Sequence, residues 1–306
     1  MTDPPRRIAV VGPTASGKSA VALAVAEQLG HTELLSIDSM QVYRGMDIGT
    51  AKPSPAERAR VPHHLLDLVD PACDFTVAEF QREYRLAVAA IAERGTRAIL
   101  VGGTGLYHRA VVDDLDLPGE WPAIRSGLLA EADLLGLAPL YARLAARDPL
   151  AASKIEPTNT RRIVRALEVC EGSGRLFSSF GPGLEVYPPS PIVQIGLRWD
   201  RDVLAARIEQ RVHAMLDAGL VDEVRALREA GLSRTAAQAL GYKEILAHLD
   251  GGRPLSESVE QIVVRTRQFS VRQLRWFQRD PRVRWVDVAG DPVAESGPVV
   301  AAALDA

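Results

Sequence analysis

A chain of 306 residues can bury one large core or two modest ones, and 47% hydrophobic with 25% charged residues is ordinary globular composition. The net charge of -3 excludes a uniformly basic nucleic-acid coat and leaves room for a local basic patch. Cys73 and Cys170 lie far apart without CxxC spacing, which excludes a disulfide framework or cysteine-based zinc site and suits a reducing cytosol.

No apolar stretch approaches the roughly 18 residues that span a bilayer. Arg6 and Arg7 precede too short an apolar run for a secretory signal, so a cytoplasmic protein without membrane contact is expected. Ile8 to Val11 reads as a buried strand, followed by Gly12, Pro13, Thr14, Ala15, Ser16, Gly17, Lys18 and Ser19 and a helix to Leu29 closed by Gly30. This is G-x-x-x-x-G-K-[ST] in its proper setting. The glycines permit a tight path, inward N–H groups and a helix N-terminus favour an anion, Lys18 adds a full charge, and Ser19 offers a hydroxyl to Mg²⁺. The loop is expected to grip a diphosphate or nucleotide.

Glu33 to Ile37 predicts a second strand ending at Asp38-Ser39-Met40-Gln41. In an open parallel sheet ligands sit beyond the carboxyl ends of the strands, so Asp38 belongs beside the loop, as a base or as a cap on the next turn. Residues 44–75, rich in Gly, Pro and Asp, read as a long functional loop. Thr76 to Glu79 is a capping box opening a helix to about Glu93. The strand Arg97 to Val101 then runs into Gly102-Gly103-Thr104-Gly105, which is either a plain turn or a place where backbone and the Thr104 hydroxyl approach a ligand. No Asp stands at its end, so the Mg²⁺-holding carboxylate usual in ATP-hydrolysing P-loop proteins is missing.

From about Leu115 to Pro191 the pattern turns helical, with helices at 123–135 and 137–147 and one capped by Thr158 or Asn159 running to Glu171. Arg161, Arg162 and Arg165 oppose the dipole at that helix start, inviting a phosphate, though a solvated face is the other reading. The predicted organisation is α/β, a P-loop NTPase-like core of residues 1–114 and 192–306 with a parallel sheet flanked by helices, plus a small helical insertion at 115–191. Ile192 to Leu197 returns to the core as a strand, helices follow over 200–219 and 220–230, and Gly241-Tyr242-Lys243 offers a stackable ring beside a lysine. In the last long helix, Ser256 to about Arg279, the residues Arg265, Gln268, Arg272, Arg275 and Arg279 fall within roughly an 80° arc at 100° per residue. That face has no acid between Arg265 and Arg279 and reads as an RNA or phosphate contact. Val283 to Val286 is a last strand, and the Ala-rich tail carries little signal.

Assembled, the sequence resembles the bacterial tRNA dimethylallyltransferases, the tRNA isopentenyltransferase family. The matching stretches are Gly12 to Ser19, Asp38-Ser39, Tyr43 with Gly45-Met46-Asp47-Ile48-Gly49-Thr50-Ala51-Lys52-Pro53, Pro62-His63 with Leu66-Asp67, and Val101 to Thr104 with Leu106-Tyr107. Arg162 with Arg165 to Val169, Gly241 to Glu244, and Thr266-Arg267-Gln268 with Arg272-Gln273 follow. The resemblance implies that the loop holds dimethylallyl diphosphate with Mg²⁺ as cofactor, that Asp38 is the base, and that Thr104 and Arg211 lie near the reacting or leaving groups. It implies tRNA contacts at Asp38, Ser39, Met40, Gln41, Thr104, Arg125, Arg161, Arg162, Arg165, Gly241, Tyr242 and Lys243, with the insertion gripping the anticodon stem-loop. A monomer is expected. Ser19 stands where Thr is usual, and Val271 where a lysine is common. A P-loop small-molecule or nucleotide kinase is the competing reading.

Overall fold

A computed structural model of the chain describes residues 7–181 and 183–305. Its elements in chain order are β1 (Arg7–Val11), α1 (Lys18–Leu29), β2 (Thr32–Ile37), α2 (Pro55–Arg60), β3 (His63–His64), α3 (Val77–Glu93), β4 (Arg97–Gly102) and α4 (Gly105–Val112). They continue with α5 (Pro122–Leu135), α6 (Leu137–Arg147), α7 (Pro149–Ser153), α8 (Thr160–Ser173), β5 (Val193–Trp199), α9 (Arg201–Asp217), α10 (Leu220–Ala230), α11 (Tyr242–Leu249), α12 (Leu255–Gln278), β6 (Val283–Val288) and α13 (Pro292–Asp305). Two compact units result, one of Met1–Val112 with Pro189–Ala306 and one of Asp113–Pro188.

In the first unit the described strands form one six-stranded sheet in the order β3-β2-β4-β1-β5-β6, every pair parallel. Alternation along the strands divides the core between its faces. Ala9, Val11, Leu35, Ile37 and Leu100 point to one face with Phe80, Tyr107, Tyr242 and Phe277. Ile8, Val10, Leu34 and Ile99 point to the other with Val21, Val25, Ile208, Val300 and Leu304. Both Val11 and Ile37 pair with Gly102, so β1, β2 and β4 end level and their loops emerge side by side. The chain leaves β1 towards β2 across one face and reaches β4 across the other, which makes the crevice between β1 and β4 the topological switch point where a ligand belongs.

Several elements depart from the expectations. Residues 44–75 are not one loop: Ser54 caps α2 with a capping box closed by Glu57, and the edge strand β3 pairs with β2. A helix of six residues is too short to show a period. The Ala-rich tail forms α13, whose Val300 and Leu304 are buried with the α1 side chains. Pro298 inside it and its weak polarity mask it in the sequence.

The second unit packs α5, α6, α7 and α8 around Leu128, Leu140, Leu144, Ile163 and Leu167. Asn159, not Thr158, caps α8, its side chain accepting from the Arg162 N–H at 3.1 Å.

Candidate active site

The loop after β1 is built for close approach. Gly12 and Gly17 hold φ of 151° and 87°, and Ala15 adopts a left-handed φ of 63°. A side chain on Gly17 would also collide with Pro292 of α13, at 2.5 Å. The loop is braced from β5 and α9: Trp199 Nε1 donates to the Ser16 carbonyl at 2.9 Å and Arg207 Nε to the Ala15 carbonyl at 3.0 Å. Arg207 also stacks on the Trp199 ring, 4.2 Å from its centroid. These braces occupy the Ser16 and Ala15 carbonyls of the loop.

Inside the loop lies a cavity of about 500 Å³ whose wall includes Thr14, Lys18, Ser19, Asp38, Ser39, Met40, Gln41, Thr104, Arg211 and Tyr242. Lys18 donates to the Pro13 carbonyl at 3.2 Å. Burial of its ammonium and the neighbouring Arg211 pull its pKa down to about 8, against the opposing pull of Asp38. Burial lowers Arg211 as well, again opposed by Asp38. Two cations facing one carboxylate leave a surplus positive charge, the electrostatics of an anion site.

Asp38 caps as well as faces the cations. Its Oδ1 accepts from the Met40 N–H at 2.8 Å and the Gln41 N–H at 3.3 Å, fixing the carboxylate at the end of β2. Thr104 Oγ1 accepts from the Ser39 N–H at 3.3 Å, tying the β2 and β4 turns together. The glycines on either side of it are demanded by space: a Cβ on Gly102 would stand 2.1 Å from the Ile37 carbonyl oxygen, and one on Gly105 2.3 Å from the Trp276 indole nitrogen.

The stretch Gly45 to Pro53 forms another part of the wall, contributing Gly49, Thr50, Ala51 and Pro53. Its successive N–H groups at Asp47, Ile48 and Gly49 donate to the Glu223 carboxylate of α10 at 2.9, 2.7 and 3.1 Å, and the Tyr242 hydroxyl donates to the same carboxylate at 2.6 Å. Gln41 donates to the Thr50 and Ala51 carbonyls. Lys52, with a fully buried side chain, bridges Asp47 and Asp67 at 2.6 Å each. Tyr242 is thus a buried strut under this stretch, fully enclosed, and not the stackable ring its sequence setting suggests.

Of the basic face predicted along α12, Gln268, Arg272, Arg275 and, at the C-cap, Arg279 are exposed. Arg265 differs, because Glu244 of α11 pairs with it at 2.5 Å and supplies the acid that the helix sequence itself lacks. A groove of about 310 Å³ runs along this face, lined by Lys243, Arg265, Gln268 and Arg272 with Gln238, Leu240 and Glu244. In the second unit Arg161 and Arg162 are exposed. Arg125 and Arg165 are committed internally: Arg125 grips the buried Glu168 with Nε and Nη2 at 2.8 and 3.0 Å, and Arg165 reaches Glu168 at 3.0 Å and the Pro118 carbonyl at 3.0 Å.

One residue of the site, named above only within the matching stretch Arg272-Gln273, has no role in the expectations. Gln273 of α12 contacts both the loop and the β4 turn, accepting from the Thr14 N–H at 2.8 Å and donating to the Gly103 carbonyl at 2.9 Å. Its signal is an amide placed four residues from both Phe269 and Phe277, within the apolar stripe of the helix.

With this geometry in hand, comparison with known proteins is decisive. A family model described as IPP transferase matches residues 41–280. The chain belongs to the IPP transferase family. It is 50% identical over 285 residues to the tRNA dimethylallyltransferase of Pseudarthrobacter chlorophenolicus, covering 92% of this chain and 94% of that one. The tRNA dimethylallyltransferase of Streptomyces coelicolor is 52% identical over 285 residues, with 92% and 90% covered. Among solved structures, the tRNA isopentenylpyrophosphate transferase of Bacillus halodurans superposes with a TM-score of 0.71 at 39% identity over 98% of this chain and 97% of that one. A eukaryotic dimethylallyltransferase acting on tRNA gives 0.80 at 25% identity, over 96% of this chain and 77% of that one. The core of this IPP transferase family member therefore carries the P-loop NTPase-like fold of these transferases.

Among the described residues no helix is long and apolar enough to cross a membrane, and no group of three or more His, Cys, Asp or Glu is placed to hold a metal. Ser19, exposed at the start of α1, and Asp38 both line the cavity. One hydroxyl and one carboxylate fit a Mg²⁺ held mainly by diphosphate oxygens and water, not one caged by protein.

Proposed function

We propose that this transferase moves the dimethylallyl group of dimethylallyl diphosphate to N6 of the adenosine immediately 3′ of the anticodon in tRNA, releasing pyrophosphate. One observation carries the reading: a single cavity is lined by Lys18, Ser19, Arg211 and the carboxylate of Asp38, while β4 ends in Gly102-Gly103 where a phosphoryl-transfer P-loop protein would need an acid. A diphosphate here is a leaving group.

The N6 lone pair attacks the allylic C1, the C1–O bond breaks, and the departing electron pair settles on pyrophosphate. Asp38 accepts the N6 proton, held in place by the Met40 and Gln41 N–H groups. Lys18, Arg211 and the loop N–H groups neutralise the charge that develops on the leaving oxygens. When bound, Mg²⁺ would add a further positive charge to those oxygens, with Ser19 as its protein contact. Ile208, Val212, Met215, Ile262 and Phe269 give the same cavity an apolar side suited to the five-carbon chain.

The target base must leave its stack to reach this cavity, so the RNA is read as a single strand over a basic collar. Lys243, Gln268, Arg272 and Arg275 offer that collar in the first unit, and the second unit offers Arg161 and Arg162 to phosphates. Such an acceptor places the enzyme in the cytoplasm, and a monomer suffices for the chemistry. Labelled dimethylallyl diphosphate incubated with unmodified tRNA should label the RNA, with no turnover of ATP; ATP consumption without labelled RNA would replace this reading with that of a kinase.

A further inference from the structure

Gln273 is 7% exposed, and both ends of its amide are used. Oε1 receives the Thr14 N–H of the loop at 2.8 Å, and Nε2 gives to the Gly103 carbonyl, next to Thr104, at 2.9 Å. The two partners fix the orientation of the amide, since a backbone N–H can only donate and a carbonyl only accept. The fit is close: a Cβ on Gly103 would lie 2.3 Å from Nε2, so the second glycine of the β4 turn is where the amide enters. Three parts of the site thus meet at one side chain: the loop, the turn that carries Thr104, and α12, whose neighbouring Arg272 and Arg275 face solvent.

We propose that Gln273 is a positioning residue that sets the distance between the diphosphate loop and the Thr104 turn, so that α12 fixes where the leaving group is held relative to the attacking base. The proposal rests on the reading of the loop as a diphosphate site. A leucine of similar size at this position leaves the Thr14 N–H and the Gly103 carbonyl without partners, and a glutamate sets an acceptor against the Gly103 carbonyl; either lets the loop drift. Drift of a fraction of an ångström at a leaving-group cradle is felt in binding and in rate.

The test compares Gln273→Leu and Gln273→Glu with Phe277→Leu, a substitution in the core of the same helix, 1% exposed, that leaves the loop contact intact. Calorimetry with Mg²⁺-pyrophosphate reads the loop directly, and steady-state transfer to tRNA reads the reaction. Both Gln273 variants should weaken pyrophosphate binding and raise KM for dimethylallyl diphosphate about tenfold, with kcat lowered, while tRNA affinity stays within about twofold. Phe277→Leu should lower Tm yet leave pyrophosphate affinity unchanged. Pyrophosphate binding by Gln273→Leu equal to that of the unaltered protein overturns the proposal, as does an equal loss in Phe277→Leu. If Gln273→Leu does not fold, Gln273→Glu decides by the same readings. Failure of the unaltered protein to modify tRNA while it binds pyrophosphate would sink the functional reading alone, and the calorimetric comparison would still judge Gln273.

Discussion

Asp38 performs two tasks that a single substitution confounds. Its Oδ1 caps the turn at Met40 and Gln41, and its carboxylate faces Lys18 and Arg211. Asp38→Asn keeps an oxygen for the cap and removes the proposed base, whereas Asp38→Ala removes both. Transfer should fall by about two orders of magnitude or more in both variants, with tRNA binding retained and the greater loss of Tm in Asp38→Ala. Near-normal transfer by Asp38→Asn would exclude Asp38 as the base. Lys18 gives a pH test. With its pKa held at about 8 by burial and Arg211, the folded protein sheds this proton at lower pH than the unfolded chain, whose value is 10.5. Folding is penalised for this charge below pH 8, and the penalty lifts as pH rises towards 10.5. Ligand binding runs the opposite way: affinity for a non-reactive thio analogue of dimethylallyl diphosphate should decline above about pH 8. Lys18→Ala should bind about a hundredfold more weakly at neutral pH and lose that decline. The positions of Lys18 and Asp38 could be read from the motif and the strand-end rule. The role of Gln273 could not, because an amide in a helix stripe acquires meaning only once the backbone groups it meets are known.

Helix α12 shows how far a single-element reading reaches. Its period points to a basic face, and Gln268, Arg272, Arg275 and the C-cap Arg279 are exposed on it. The same reading misjudges Arg265, whose counter-charge Glu244 comes from another helix and is invisible along the α12 sequence. Arg272→Ala and Arg275→Ala should therefore each weaken tRNA binding and reduce the slope of log affinity against log salt by about one. Arg265→Ala should chiefly lower Tm, because it leaves the buried Glu244 carboxylate without its counter-charge, with the Gly241 N–H still donating to it. Equal salt slopes for all three variants would argue against this division of labour. The strand–loop–helix unit at the start of the chain was legible because pattern, glycine spacing and cap agree there. The stretch Gly45 to Pro53 was legible as part of a functional loop and as a family signature. Its physical reason is the Glu223 carboxylate, which takes the Asp47, Ile48 and Gly49 N–H groups from far along the chain.

At the scale of the molecule, the parallel order β3-β2-β4-β1-β5-β6 brings three loops to one edge, and the chemistry follows from what those loops lack as well as what they carry. The edge of the sheet has its own anchor. Glu33 of β2, with a side chain 6% exposed, binds Arg94 at 2.8 Å, Thr96 at 2.7 Å and His64 of β3 at 2.5 Å. Its hydrogen bonds, that to Arg94 foremost, hold its pKa at about 2, below the ordinary 4.5. The stability it lends is fully present above 4.5 and is lost as pH falls from there through 2. Glu33→Gln should cost about 1.5–3 kcal/mol at neutral pH and flatten the acid limb of the unfolding curve; an unchanged limb would show that another group controls it.

The central claim is that the loop Gly12 to Ser19 holds a leaving diphosphate while a carboxylate opposite it activates an RNA amine. Mass analysis of the adenosines from unmodified tRNA, incubated with the protein, Mg²⁺ and dimethylallyl diphosphate, tests it most directly. The expected result is one adenosine, next to the anticodon on its 3′ side, heavier by a dimethylallyl group in place of a hydrogen, with pyrophosphate released in equal amount. Unaltered adenosine in the presence of a protein that binds both substrates would contradict it.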